Sequence, residues 1–421
     1  MATPVGSGGL GVIRLSGPHA VSIATSLFHS STPLDRCPTH TLHHGTLKDG
    51  ADVLDDAVAS LFRAPRSYTG EDVVEFSCHG SAPLLRRVLE SCLRAGARLA
   101  DPGEFTRRAF MNGKIDLLQA EAVGDLIAAR SDAQRRLALN ALRGDLSKKI
   151  QPLRDRVLDL VAHLEAHLDF VEDEIPDLSR ADIQKGIESV ARDLSTLLST
   201  AGPGRLWREG IHIAIVGCPN AGKSSLFNAL LRENRAIVAD VPGTTRDTLE
   251  ESSVWEGISV TLVDTAGLRE TADAVEQEGT SRARRAITRA DMVFLVVDGG
   301  IAPREEDRRV AKEVGDRPVV LVINKSDLRS AGSPHAWRME LGLSEAPTVE
   351  VSTLTGNGLN ELRRSALLLA GNGQEPHEPA MIFNARQEQR LRESLAALAQ
   401  AGTTAMTGAP EETLSMDLRL A

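Results

Sequence analysis

The spacing of apolar positions changes character three times along this chain. In the first 115 residues the apolar stretches are short, as at 11–15 (Gly-Val-Ile-Arg-Leu) and 72–76 (Asp-Val-Val-Glu-Phe), and predict strands. Residues 83–93 predict a helix stopped by Gly96. From Asp116 the period becomes helical: Leu117, Ala120, Val123, Leu126 and Ile127 share a face, and the pattern runs on through Leu139, Leu142 and Leu146. Pro152 precedes a further helix over 153–170, residues 172–177 form an acidic break, and another helix spans 183–198. Continuous apolar runs at 211–216, 260–263 and 319–323 then predict buried strands. Gly- and Pro-containing linkers at 201–204 and 371–376 bracket that region, and a last helix over 384–401 precedes an amphipathic tail at 410–421. Helical segments on both sides of a strand-rich region predict one helical domain with an α/β domain inserted, because an isolated helical piece buries little. The expected divisions are 1–115, 116–208, 209–370 and 371–421.

The chemistry sits at the ends of the apolar runs. Gly217-Cys218-Pro219-Asn220-Ala221-Gly222-Lys223-Ser224 fits G-x-x-x-x-G-K-[ST] between a strand and a helix, the geometry that points backbone N–H groups at phosphate. The expected contacts come from Asn220, Ala221, Gly222, Lys223, Ser224 and Ser225, with Lys223 on the β- and γ-phosphates and the Ser224 hydroxyl on Mg²⁺. Asp264-Thr265-Ala266-Gly267 follows the second run; Asp264 is placed to hold the metal, and Gly267 to offer its N–H to the γ-phosphate. Asn324-Lys325-Ser326-Asp327 follows the third. A carboxylate at Asp327 can accept from both N1–H and the 2-amino group of guanine, a donor pair adenine lacks, so it selects GTP over ATP. Ser352, in Val351-Ser352-Thr353, closes the base pocket. In Pro242-Gly243-Thr244-Thr245 one threonine, Thr245 by preference, completes the Mg²⁺ shell and senses the γ-phosphate. The residue after the Asp264 motif is Leu268, which cannot orient water, so hydrolysis must recruit a polar group and positive charge from elsewhere.

Composition narrows the class. The chain is 42% hydrophobic and 25% charged, as soluble globular proteins are, and only 3% aromatic, so its cores must be built from Leu, Val, Ile and Ala. It carries no apolar run of membrane-spanning length and no N-terminal signal pattern, and reads as cytoplasmic. Cys37, Cys78, Cys92 and Cys218 form no C-x-x-C pair and predict reduced thiols without structural zinc. A formal net charge of -10 argues against bulk, sequence-blind nucleic-acid binding but leaves room for a local basic patch. Arg282, Arg284, Arg285 and Arg289 read as a solvated helix face, Cys78-His79 as strand-end packing, and His40, His43 and His44 as a loop.

Three longer signatures go beyond generic GTPase motifs: Ser67-Tyr68-Thr69-Gly70-Glu71-Asp72-Val73-Val74-Glu75, Pro102-Gly103-Glu104-Phe105-Thr106-Arg107-Arg108-Ala109-Phe110, and Asn112-Gly113-Lys114-Ile115-Asp116-Leu117. With them the chain resembles the MnmE (TrmE) family of tRNA-modification GTPases over nearly its whole length. That resemblance implies a multidomain α/β architecture: an N-terminal α+β domain that binds folate and dimerises, a helical domain, and an inserted Ras-like P-loop GTPase domain. It implies 5-formyl-tetrahydrofolate held at Arg14, Glu75 and Lys114. It implies a potassium ion at Asn220 and Thr244, supplying positive charge when the GTPase domains pair, and Glu276 orienting the attacking water. It also implies GTP/GDP cycling in a homodimer, an FAD-dependent partner protein, tRNA as substrate, and modification of the wobble uridine.

Two departures from the family pattern stand out. The family's Cys-Ile-Gly-Lys tail is absent after Asp417-Leu418-Arg419-Leu420-Ala421, and the chain opens late, at Met1-Ala2-Thr3-Pro4, without the family's first strand or the usual Arg of the following loop. Either the chain is truncated or this member does not carry out the full reaction; GTP binding is expected to survive. Two rival readings share the guanine motifs: a ribosome-assembly GTPase, and a folate-dependent one-carbon transferase with a regulatory GTPase domain.

Overall fold

The computed structural model describes residues 1–4, 6–169, 179–199, 206–232, 249–264, 287–328, 332–371 and 384–421. Internal contacts divide the chain into two units, Met1–Gly124 and Asp125–Ala421, the division falling within the helix Leu117–Ala128.

The first unit is a five-stranded antiparallel sheet in the order β1-β5-β4-β3-β2, formed by β1 (Gly8–Ser16), β2 (Phe28–His29), β3 (Thr41–Asp49), β4 (Asp52–Phe62) and β5 (Val73–Gly80). The helices Ala20–Leu27 and Ala82–Arg94 contribute Val21, Ala24, Leu85, Val88 and Cys92 to a core shared with Ile13, Ala59, Leu61 and Phe76 of the strands. Contact is close enough that a Cβ at Gly11 would meet Leu85 Cδ1 at 2.4 Å. His43 and His44 lie on β3, not in a loop, while His40 stands just before it at φ 62. Alternation explains the difference: Gly45 and Leu47 are buried, and the histidines share the strand with them.

The second unit carries a six-stranded sheet in the order β11-β10-β9-β6-β8-β7. Its strands are β6 (Ile211–Gly217), β7 (Leu249–Trp255), β8 (Ile258–Asp264), β9 (Met292–Asp298), β10 (Val319–Asn324) and β11 (Thr348–Glu350). All pairings are parallel except β7 with β8. Nearly every residue of β6, β8, β9 and β10 is buried, as expected of parallel strands covered on both faces. The chain leaves β6 toward β8 on one side and returns to β9 on the other, so a topological switch lies beside β6, where ligands of such sheets bind.

Helices from both sides of this sheet in sequence share one core. Val161 and Leu164 from Asp145–Asp169 and Ile183, Ile187, Val190 and Leu194 from Arg180–Ser199 pack with Leu398, Ala401 and Ala405 from Ala385–Thr407 and with Leu414 and Leu418 from Glu411–Leu420.

Two details of the helical pattern differ from the sequence reading. The run from Leu117 to Leu146 is not continuous: it breaks before Ser131, whose hydroxyl accepts from the Gln134 amide while the Gln134 side chain accepts from the Ser131 amide. That reciprocal cap satisfies a helix start without interrupting the apolar spacing. Pro152 does not precede its helix but lies inside Asp145–Asp169, where its fixed φ suits the helix and one amide bond is forgone.

Candidate functional site

Parallel pairing brings the predicted motifs to one edge of the second sheet. In register, Gly217 lies opposite Val296, Ile215 opposite Asp264, and Asn324 opposite Asp298, so β6, β8, β9 and β10 all end together. The glycines of the loop after β6 are required by close approach. Gly217 has φ 153 and an added Cβ would lie 2.1 Å from the Val296 carbonyl oxygen; Gly222 has φ 93 and its Cβ would lie 2.1 Å from Asn324 Nδ2. Asn220 takes a left-handed φ of 63, which Asn tolerates better than most residues.

Lys223 opens the helix Lys223–Arg232 and curls back over the loop, its Nζ donating to the carbonyls of Gly217 and Cys218 at 2.8 Å each. Burial pushes its ammonium below the ordinary value, against the opposing pull of Asp264. Ser224 and Ser225 follow it and are exposed, and Asp264 at the end of β8 is 5% exposed. Asn324 ties the two loops together by donating from Nδ2 to the Ala221 carbonyl at 2.9 Å, while its Oδ1 is buried without a partner among the described residues. An orphaned buried amide oxygen fits a ligand site, since it is an acceptor left for a donor that the described residues do not supply. A serine hydroxyl and a buried carboxylate are hard oxygen donors of the kind Mg²⁺ takes alongside phosphate and water.

On the base side, Asp327 Oδ1 accepts from the Ser352 hydroxyl at 2.5 Å. Ser352 is 1% exposed and its Oγ also accepts from the Thr355 amide at 3.2 Å. The Ser326 amide bonds the Val351 carbonyl at 3.0 Å, fastening one loop to the other. The Cys218 thiol, buried in the phosphate loop, is pushed up to about 12 by burial and the nearby Asp307 carboxylate, so it stays protonated.

In the first unit Arg14 Nε donates to Glu75 Oε1 at 2.6 Å across the β1–β5 register. The guanidinium lies over the rings of Tyr68 and Phe105, 5.7 and 5.5 Å from their centroids. Arg14 and Phe105 line a cleft of about 570 Å³ with Gly17, His19, Arg98 and Arg108. Lys114 Nζ donates to the Pro65 carbonyl at 3.0 Å.

In the lining of the same cleft, Glu104 accepts from Arg98, from Arg108 and from the Asp101 amide. The Arg98 hydrogen bonds foremost, then the Asp101 amide and Arg108, hold its carboxyl well below the usual range. A depressed pKa stabilises the fold above the unfolded value of about 4.3, and that stabilisation is lost as pH falls through the folded value. Glu104→Gln should therefore lower the melting temperature of the first unit at neutral pH, with the gap to wild type closing as pH drops below about 4. Circular dichroism melts across pH check this; a gap independent of pH sinks it.

A family model described as the MnmE helical domain matches residues 117–421, and one described as the GTP-binding protein TrmE N-terminus matches residues 1–114. The chain belongs to the MnmE family of tRNA modification GTPases. The tRNA modification GTPase MnmE of Moorella thermoacetica is 45% identical over 427 residues, covering 99% of this chain and 92% of that protein. The Aquifex aeolicus protein of the same name is 43% identical over 396 residues, covering 94% and 86%. Among solved structures, the G domain of the T. maritima FeoB iron transporter matches 38% of this chain and 98% of its own at 28% identity, with a TM-score of 0.30.

Of the MnmE-type site residues expected from sequence, Thr244, Thr245, Thr265, Ala266, Gly267 and Glu276 lie outside the described residues, as do Leu268, Arg282, Arg284, Arg285, the acidic break and most of both linkers. The structure brings together Asn220 through Ser225, Asp264, Asn324, Lys325, Asp327 and Ser352 at one edge, and pairs Arg14 with Glu75 but not with Lys114. Sequence reasoning missed Asp298, whose carboxylate meets Lys325 Nζ at 2.6 Å. An Asp closing an apolar strand, as Asp264 does, was the available signal. It also missed the roles of Tyr68 and Phe105 beside Arg14, although both fall in the quoted signatures. Among the described residues no group of three or more His, Cys, Asp or Glu could hold a metal ion by itself, and no helix is long and apolar enough to cross a membrane.

Proposed function

We propose that this chain hydrolyses GTP in support of tRNA modification, adding a carboxymethylaminomethyl-type group at position 5 of the wobble uridine together with an FAD-dependent partner protein. The observation that carries the reading is the convergence of the Gly217–Ser224 loop, Asp264, Asn324 and Asp327 on one sheet edge, in a chain matched throughout by MnmE-type family models. The match of residues 1–114 to the TrmE N-terminus favours it over a ribosome-assembly GTPase.

In this reading Lys223 leaves its two loop carbonyls for the β- and γ-phosphates, Ser224 and Thr245 bind Mg²⁺ with Asp264 behind them, and Thr265, Ala266 and Gly267 approach the γ-phosphate. The metal, when bound, neutralises charge developing on the phosphate oxygens. Asn324, Lys325, Asp327 and Ser352 hold the base. Asn220 and Thr244 hold potassium when two copies pair through their GTPase domains, and Glu276 orients water where Leu268 cannot. Arg14, Glu75 and Lys114 hold 5-formyl-tetrahydrofolate: a carboxylate suits the guanidine-like edge of a pterin, and basic groups suit its carboxylate tail. The aromatic faces beside Arg14 suit a flat ring. The domain divisions at 115, 208 and 370 follow the same reading, as does a place in the cytoplasm.

GTP hydrolysis measured in potassium chloride and in sodium chloride at equal ionic strength tests it. Potassium should raise the rate about tenfold or more, because it supplies the charge an arginine supplies elsewhere. Asn220→Ser should abolish that stimulation and leave GDP binding largely intact; retained stimulation would remove Asn220 from the ion's shell.

A further inference from the structure

The last residue of β9 is an acid committed to the guanine-recognition loop. Asp298 lies opposite Asn324 in the register of β9 and β10. Its Oδ1 accepts from the Gly300 amide at 2.9 Å, and the Gly299 amide bonds the Asn324 carbonyl at 2.8 Å, so the turn is tied to the loop through its backbone. Its Oδ2 accepts from Lys325 Nζ at 2.6 Å, with the acid side chain 17% and the lysine 34% exposed. Burial works against the Asp298 charge, yet the Lys325 and Gly300 hydrogen bonds hold its carboxyl below the ordinary value.

Lys325 leaves β10 at φ 63, a left-handed conformation that a side-chain-bearing residue keeps only when its surroundings hold it there. Leu328 closes on the same turn: a Cβ at Gly300 would lie 3.5 Å from Leu328 Cδ1. The lysine is thus fixed at both ends, by its backbone and by a charge-assisted hydrogen bond from its tip.

We propose that Asp298 is a positioning residue for guanine recognition, anchoring Lys325 so that its four-carbon stem forms a fixed wall of the base pocket and its charge is kept from Asp327. The inference rests on the reading of Asn324–Asp327 as the base-reading loop. An unanchored ammonium two residues from Asp327 would compete with the base for that carboxylate, and its loose stem would have to be ordered on binding.

The test uses the full chain and a fluorescent N-methylanthraniloyl GDP. Asp298→Asn keeps the shape and an acceptor for the Gly300 amide but removes the charge. Its affinity for the probe should fall about tenfold, mostly through faster release. The kcat at saturating GTP should stay within about twofold, and the melting temperature without nucleotide should fall by only a few degrees, as expected from losing one charge-assisted hydrogen bond between partly exposed groups. Asp298→Glu should recover part of the affinity. Unchanged affinity in Asp298→Asn overturns the proposal, and so does a loss matched by lower stability without nucleotide and not rescued by Asp298→Glu. Failure of the wild-type chain to bind the probe would instead overturn the base-reading assignment itself.

Discussion

Asp327→Asn should turn the preference of this GTPase from guanine to xanthine nucleotides. The wild-type carboxylate can take both the N1–H and the 2-amino group of guanine, and Ser352 holds it in place through a 2.5 Å hydrogen bond to Oδ1. That serine is itself fixed, being 1% exposed and bonded to the Thr355 amide. Asparagine at this position faces the guanine 2-amino group with a donor of its own and leaves that donor pair unmatched. Sites built around a specific hydrogen bond reject the mismatched ligand by about 10⁴-fold or more, so a fall in kcat/KM for GTP of about a thousandfold is a moderate expectation. Xanthine carries an oxygen where guanine carries the amine, which restores donor–acceptor complementarity and should restore most of the rate with XTP. Steady-state kinetics with both nucleotides decide it. If Asp327→Asn hydrolyses GTP with near wild-type kcat/KM, the base is not read at this loop. Ser352→Ala should give a weaker version of the same loss, about tenfold, because the carboxylate remains but is no longer held.

What the sequence made legible was chemistry confined to short stretches. A phosphate loop must be glycine-rich because the backbone itself is the ligand, so Gly217 to Ser224 announce themselves without reference to the rest of the fold. Asp264 and Asn324 were readable because each closes an apolar run. The insertion of a sheet between two sets of helices was legible from periodicity, since Leu398 and Leu414 have the same helical spacing as Val161 and Ile187, with which they share a core. Pairwise geometry across long separations was not legible. The Asn324–Ala221 bond spans 103 positions, and the Arg14–Glu75 pair spans 61 and depends on the register of two antiparallel strands. Arg14 and Glu75 entered through family resemblance, and that they pair with each other is visible only in the structure. Asp298 escaped notice because Asp298-Gly299-Gly300 is also what an ordinary turn looks like, and its bond to Lys325 appears only once β9 and β10 are side by side. The break before Ser131 escaped for the opposite reason: a capping box ends one helix and starts another while leaving the apolar rhythm intact.

The close approach of the phosphate loop to β9 makes Gly217→Ala a second large effect, this time on stability. The added methyl would sit 2.1 Å from the Val296 carbonyl oxygen and 3.1 Å from its carbon. These are main-chain atoms of β9, at the last pair of its register with β6, so no side chain can swing aside. The strand must move, and β9 is buried on both faces with nowhere to go. The φ of 153 adds strain for any residue with a Cβ. Overpacking and strain together should cost about 2–4 kcal/mol. In a domain of this size that lowers the melting temperature by about 10 °C. The control is Gly315→Ala, whose φ of 64 is equally unsuited to alanine but whose Cβ would meet nothing within 4 Å. It isolates the conformational part, with ψ -143 outside the left-handed helical well, and should cost about 1–2 kcal/mol. The transition of the first unit should not shift in either variant, which separates a local effect from general damage. Nucleotide adds a second reading. GDP at a hundred times its Kd stabilises the wild-type fold by about 2.7 kcal/mol, and Gly217→Ala should lose most of that increment, because a displaced loop no longer presents its amides to phosphate. Equal melting of the two alanine variants would mean that the loop and β9 are not as close as the register requires.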